Sequence, residues 1–212
     1  SMLERFRKAK QAEIAALHAA EAAGTLPPRW SATRPSLAKA ISKARTNGHS
    51  AIIAEYKRAS PSQGRIRTDL SAREVCGQYA TAATPASAVL LVTRMLSDAT
   101  LMQCLKCAEE NGLESVVEVF DSEDLGRAMA VNARIIQVNA RDLGTLSVDL
   151  KRSLALVRAK SAGQIWIAAS GISCRQDILH LEEAGFDAAL VGTSLMRAPE
   201  PGRALRYLLG EL

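Results

Sequence analysis

From Ala51 onward, short runs of apolar residues alternate with segments of ten to fifteen residues that carry a helical pattern. The apolar runs are Ala51 to Tyr56, Ala88 to Thr93, Ser115 to Phe120, Arg134 to Asn139, Ile165 to Ser170 and Ala188 to Val191. Each is nearly all apolar rather than alternating, which is the pattern of parallel strands buried on both faces. The helical segments lie at Ala72 to Ala82, Asp98 to Asn111, Ser122 to Val131, Val148 to Lys160, Arg175 to Ala184 and Pro201 to Leu209. A strand and helix rhythm without a break predicts a parallel sheet, either closed into a barrel or open and doubly wound. Ahead of it, Met2 to Ala23 reads as a long amphipathic helix with Leu3, Phe6, Ile14 and Leu17 on one stripe, and Ser36 to Ala44 as a second helix. Residues 1–48 are thus expected to form a helical extension, and residues 49–212 the strand-bearing domain.

Polar residues break the apolar runs at one place in each unit. The first run ends in Glu55 and Lys57, two residues apart and so on the same side of a strand. The third holds Glu118, the fourth ends in Asn139 and is followed by Arg141, the fifth ends in Ser170 and Gly171, and the sixth is followed by Gly192 and Thr193. Taken alone, Glu55 and Lys57 are also compatible with a surface ion pair on a strand edge. In a parallel barrel, however, all these C-terminal strand ends face the same way and can share one pocket. Glu118 sits in Val116-Val117-Glu118-Val119-Phe120, where a carboxylate is costly unless it faces a polar cavity or a partner. The turns at Ser170-Gly171 and Gly192-Thr193 let backbone approach a ligand and offer N–H groups to an anion.

Composition narrows the function classes. A chain of 212 residues suits one compact domain with a sizeable core. The net charge of +5 allows nucleic-acid binding, but the Lys and Arg are dispersed and only 4% of residues are aromatic, so a small anionic substrate is the better fit and no nucleic-acid partner is expected. No apolar run approaches the roughly 18 residues that span a bilayer, and the N-terminal segment is charged throughout rather than built around a signal core. A cytoplasmic protein without a membrane partner is expected. Cys104 and Cys107 have the spacing of a zinc or redox pair, but they fall in a helical segment with no second pair to complete a site. No metal and no organic cofactor is expected.

The segments IIAEYKRASPSQG, VVEVFDSEDLGRAM, IIQVNARDLGTLSVDL, IAASGIS and FDAALVGTSLM, with the N-terminal FRKAKQAEIAAL, resemble indole-3-glycerol phosphate synthase. They occur in the family's order and leave out the region near Ala80 to Ala88. The resemblance implies decarboxylation and dehydration of carboxyphenylaminodeoxyribulose phosphate, a phosphorylated anionic substrate. It assigns Lys57 to polarising the substrate, Glu118 to proton transfer, and Glu55 and Asn139 to orienting substrate and catalytic groups. Ser60, Arg141 and Ser170 would contact the substrate or support its charge, and Gly171, Gly192 and Thr193 would hold the phosphate.

The chain also departs from that family. Its barrels run to roughly 250 residues, whereas here the helix at Ala72 to Ala82 leads straight to the strand at Ala88, so two strand and helix units are missing. With them goes the Arg-Lys-Asp-Phe strand whose lysine is the family's general acid. Ala169 stands where the family has a glutamate, and Phe120 where it commonly has a histidine. The resemblance therefore implies an α/β, TIM-barrel-like parallel (β/α) fold of about six strands, incomplete or tightened, or a homodimer covering the open strand edges. It implies ring-closing activity that is weak or altered, or else a non-catalytic phosphosugar-binding or interaction paralogue. Arg94 is a candidate to restore positive charge, although a guanidinium releases no proton near neutral pH.

Overall fold

A computed structural model describes residues 2–26, 35–55, 59–60, 64–66, 69 and 87–212. Six strands form one sheet in the order β1 (Ile52–Ala54), β8 (Ala188–Val191), β7 (Ile165–Ala169), β6 (Ile135–Asn139), β5 (Glu114–Val119) and β4 (Ala88–Val92), with every neighbouring pair parallel. These are the six expected strands, and together with their helices they make an incomplete TIM-barrel-like fold. β2 (Ala59–Ser60) and β3 (Gly64–Arg65) form a small antiparallel pair after β1 that the apolar pattern did not reveal, because two-residue strands carry no periodicity. Tyr56 and the expected helix at Ala72 to Ala82 lie outside the described residues.

Between the strands run α3 (Asp98–Glu110), α4 (Ser122–Ala130), α5 (Leu150–Leu156) and α6 (Arg175–Ala184), followed after β8 by α7 (Thr193–Arg197) and α8 (Pro201–Leu209). Strand side chains alternate between the two sheet faces. On the outer face, Val117, Val119, Ile136, Val138, Trp166, Ala168 and Val191 bury against helix residues including Leu101, Leu125, Ile178, Leu181 and Leu208. On the inner face, Val116, Ile135, Ile167 and Ala188 form a second cluster with Ala51, closed from below by Ile41 of α2 (Leu37–Thr46). One step further along the same face the side chains turn polar, with Glu118 and Gln137 both buried. The apolar floor is thus in register with a polar ring above it.

The N-terminus of α2 is fastened to this floor by Glu114, the first residue of β5. Its carboxylate accepts hydrogen bonds from Ser36 Oγ at 2.9 Å and from the amides of Leu37 at 2.5 Å and Ala38 at 3.2 Å. An anion at a helix N-terminus satisfies N–H groups that lack intrahelical partners. α1 (Met2–Ala22) behaves differently. Its expected apolar stripe faces solvent at Ile14, 51% exposed, and Leu17, 58% exposed. Among the described residues, no helix is long and apolar enough to cross a membrane.

Candidate active site

Glu118 is the centre of the polar ring. Strand parity sends it to the inner face, opposite Gln137 of β6 in the parallel register, and it is only 6% exposed. Gln137 Nε2 donates to Glu118 Oε2 at 2.6 Å, and the side chain of Asn139 hydrogen-bonds to the same carboxyl. Asn139 is held in that orientation from its other end: its Oδ1 accepts from Ser170 Oγ at 2.9 Å and from the Arg141 amide at 3.0 Å. Burial pushes the Glu118 carboxyl above its ordinary range; the Asn139 and Gln137 donors pull the other way, and the nearby carboxylates Asp124 and Glu55 add to the rise. A carboxyl so placed is suited to taking up and releasing a proton.

The neighbouring strand ends supply the rest of the rim. Ser170 and Gly171 both have left-handed backbone, with φ of 70° and 77°, and a Cβ on Gly171 would come within 2.8 Å of Val148 Cγ1. For Ser170, a non-glycine residue, this conformation is strained, and it is what turns Oγ back to Asn139. Gly192 is buried and precedes Thr193, the first residue of α7, while Ser194 Oγ donates to the Ile172 carbonyl at 2.9 Å, tying the last two turns together. Glu55 extends β1, its amide donating to the Val191 carbonyl at 2.8 Å. Direct hydrogen bonds therefore join Glu118, Asn139, Arg141 and Ser170. Glu55, Gly171, Gly192 and Thr193 stand on adjacent strand ends of the same side. Ser60 lies in β2, where only its backbone is described, and Lys57 lies outside the described residues.

Sequence reasoning missed the cluster at the end of β4. Arg94 donates to Asp124 at 2.8 Å, to Asp142 at 3.1 Å and to Asp121, and lies 4.0 Å from the centre of the Phe120 ring. Arg152 also lies over that ring, 3.4 Å from its centre. Burial works to raise the Asp121 carboxyl, but the Asp124 amide and the Arg94 guanidinium hold it below the usual range. Asp142 is held low first by the Thr145 amide and least by Arg94. Arg94, the candidate to restore positive charge, has its Nε, Nη1 and Nη2 turned to aspartates, and it lines a small hollow of about 10 Å³ that Glu118, Asn139 and Arg141 also line. The signal that could have found this cluster was Asp121 and Asp124 at N-cap spacing directly after β5.

Ala169 lies on the inner face between Asn139 and Leu190 in the sheet register, so a methyl group occupies the position beside Asn139. Comparison with known proteins places this arrangement. The sequence profile of indole-3-glycerol phosphate synthase matches residues 3–88 and 83–208.

The chain belongs to the indole-3-glycerol phosphate synthase family.

Over 223 residues it is 31% identical to the indole-3-glycerol phosphate synthase of Carboxydothermus hydrogenoformans, covering 82% of this chain and 84% of the relative. The enzyme of the same name from Laribacter hongkongensis is 29% identical over 258 positions, covering 98% of each chain. Those 258 positions exceed the 212 residues here, so the relative carries residues that this chain lacks. The family profile matches in two pieces that overlap at residues 83–88, ending on the first residue of β4. Among solved structures, thiamine phosphate pyrophosphorylase from Pyrococcus furiosus shares the fold, with a TM-score of 0.51 and 15% identity over 81% of this chain and 87% of that one. Indole-3-glycerol phosphate synthases are decarboxylating lyases of tryptophan biosynthesis, and they bind a phosphorylated substrate.

Proposed function

We propose that this chain binds a phosphorylated arylamino-sugar across its strand ends and closes the indole ring by decarboxylation and dehydration, at a rate well below that of a complete barrel. The observation that carries this reading is Glu118, a buried carboxyl on the inner face, held between two amide side chains and aimed by a hydrogen-bonded chain through Asn139 to Ser170. Glu118 transfers the proton during ring closure. Asn139 and Glu55 orient substrate and carboxyl, Arg141 belongs to the supporting charge network, Ser60 contacts the substrate at its phosphate, and Lys57 polarises its carbonyl or carboxylate. The turns at Ser170-Gly171 and Gly192-Thr193 receive the phosphate.

The weak rate follows from what is missing. No residue stands by position for the family's general-acid lysine, and Ala169 contributes no carboxylate. A positioned general acid supplies roughly 10² to 10⁴ in rate. Ala169 also favours a second reading, in which residues 49–212 form a phosphosugar binder or interaction module without turnover and residues 1–48 are an appended helical segment.

An indole-fluorescence turnover assay run beside binding of a reduced substrate analogue separates the two. Turnover that disappears in Glu118→Gln supports the enzyme; analogue binding with no turnover in the parent protein supports the binder; neither binding nor turnover defeats both.

A further inference from the structure

Gln137 is a polar residue inside an otherwise apolar strand, and it is 4% exposed. It lies on the inner face one step below Asn139 and directly opposite Glu118 in the register of β5 and β6. A buried amide at this position is costly unless its donors are used, and the use is visible: Nε2 donates to Glu118 Oε2 at 2.6 Å. Two amide side chains, Gln137 and Asn139, therefore grip the same carboxyl from one neighbouring strand.

We propose that Gln137 is a positioning residue for Glu118, fixing the carboxyl by one oxygen and favouring its ionised form, so that it can accept a proton from substrate. The proposal rests on the reading of Glu118 as the proton-transfer group. A donor to a carboxylate stabilises the charged form more than the neutral acid. The other charged groups around Glu118 are Glu55 at the end of β1, Asp124 in α4, Arg94 after β4 and Arg141 after β6. The two acids oppose ionisation of Glu118, and Arg94 is engaged by its aspartates. Against that background the amide donors are what offset burial.

The test is carboxyl ¹³C NMR titration of glutamate-labelled protein, with Glu118→Gln identifying the resonance, in the parent and in Gln137→Leu. Gln137→Met, unbranched and also without a donor, is a second variant in case the first fails to fold. The expected result is that Glu118 titrates at higher pH in the variant than in the parent. The acid limb of the kcat profile should move in the same direction, and kcat at pH 7 should fall about tenfold, the loss that accompanies one charge-assisted hydrogen bond, while KM changes little. An unchanged Glu118 titration in a folded variant overturns the proposal. If the parent shows no turnover, the reading of function fails by itself, and the titration still decides the role of Gln137.

Discussion

Glu118 couples function to instability within one side chain. Its carboxyl pKa is raised in the folded protein, first by burial, so its contribution to stability is fully present below the unfolded value, about 4.3, and is lost as pH rises through the folded value. Glu118→Gln removes the ionisable group while keeping the shape. The expected outcome is a Tm equal to the parent's near pH 4 and higher than the parent's near pH 8, with turnover lost by at least about a hundredfold; calorimetry across pH beside the fluorescence assay checks both. Glu118 was legible in the sequence because a carboxylate interrupted an apolar run. Gln137 gave the same signal, a polar residue inside Ile135-Ile136-Gln137-Val138-Asn139, yet an amide carries no formal charge and its purpose emerges only when the register sets it opposite Glu118. Ser170 was legible as part of a turn, but its left-handed backbone was not, since what that conformation serves is a hydrogen bond to Asn139, 31 residues away in sequence.

Two carboxylate clusters hold elements together, and each has its own test. Glu114 links β5 to α2 through three hydrogen bonds, so Glu114→Ala is expected to cost about 1 to 2 kcal/mol in denaturant unfolding and to speed amide exchange in α2 more than in α3. Arg94 links the end of β4 to Asp121 and Asp124 after β5 and to Asp142 after β6. Arg94→Leu leaves three acids facing one another, with Asp124 buried, and should cost about 2 to 4 kcal/mol at pH 7, toward the low side for buried pairs because Asp121 remains a third exposed. Asp121 and Asp142 are held below their usual range, so their contribution is present above the unfolded value, about 3.9, and is lost as pH falls through the folded values. The variant's deficit should therefore shrink as pH drops below about 4, because protonated acids no longer need the cation; urea unfolding at pH 7 and pH 3.5 measures it. The helices and strands themselves were legible from periodicity, since buried parallel strands leave long apolar runs. These clusters were not, because they join residues 27 to 78 apart in sequence.

At the scale of the whole molecule, the sheet runs, among the described residues, from β1 at one side to β4 at the other. A closed barrel pairs every strand on both edges, and a strand edge left open is a template for another chain. Leu90, in the middle of β4 and on the inner face, is 49% exposed, although its counterparts Val116 and Ile135 on the next two strands are buried. The two pieces of the family profile overlap at residues 83–88, which reach the first residue of this strand, so the exposure lies beside the point where the profile is interrupted. Covering half of a leucine gives only about 1 kcal/mol per chain; the outer backbone of β1 and β4, which no other described strand pairs, is the stronger reason for association. Light scattering is expected to give the mass of two chains. Leu90→Lys, which places a charge against that edge in the way natural sheets block pairing, should return the mass to one chain with an unchanged circular dichroism spectrum. A parent protein that stays a single chain at every concentration would mean that its own residues cover these edges, and the substrate site would then be complete within one copy.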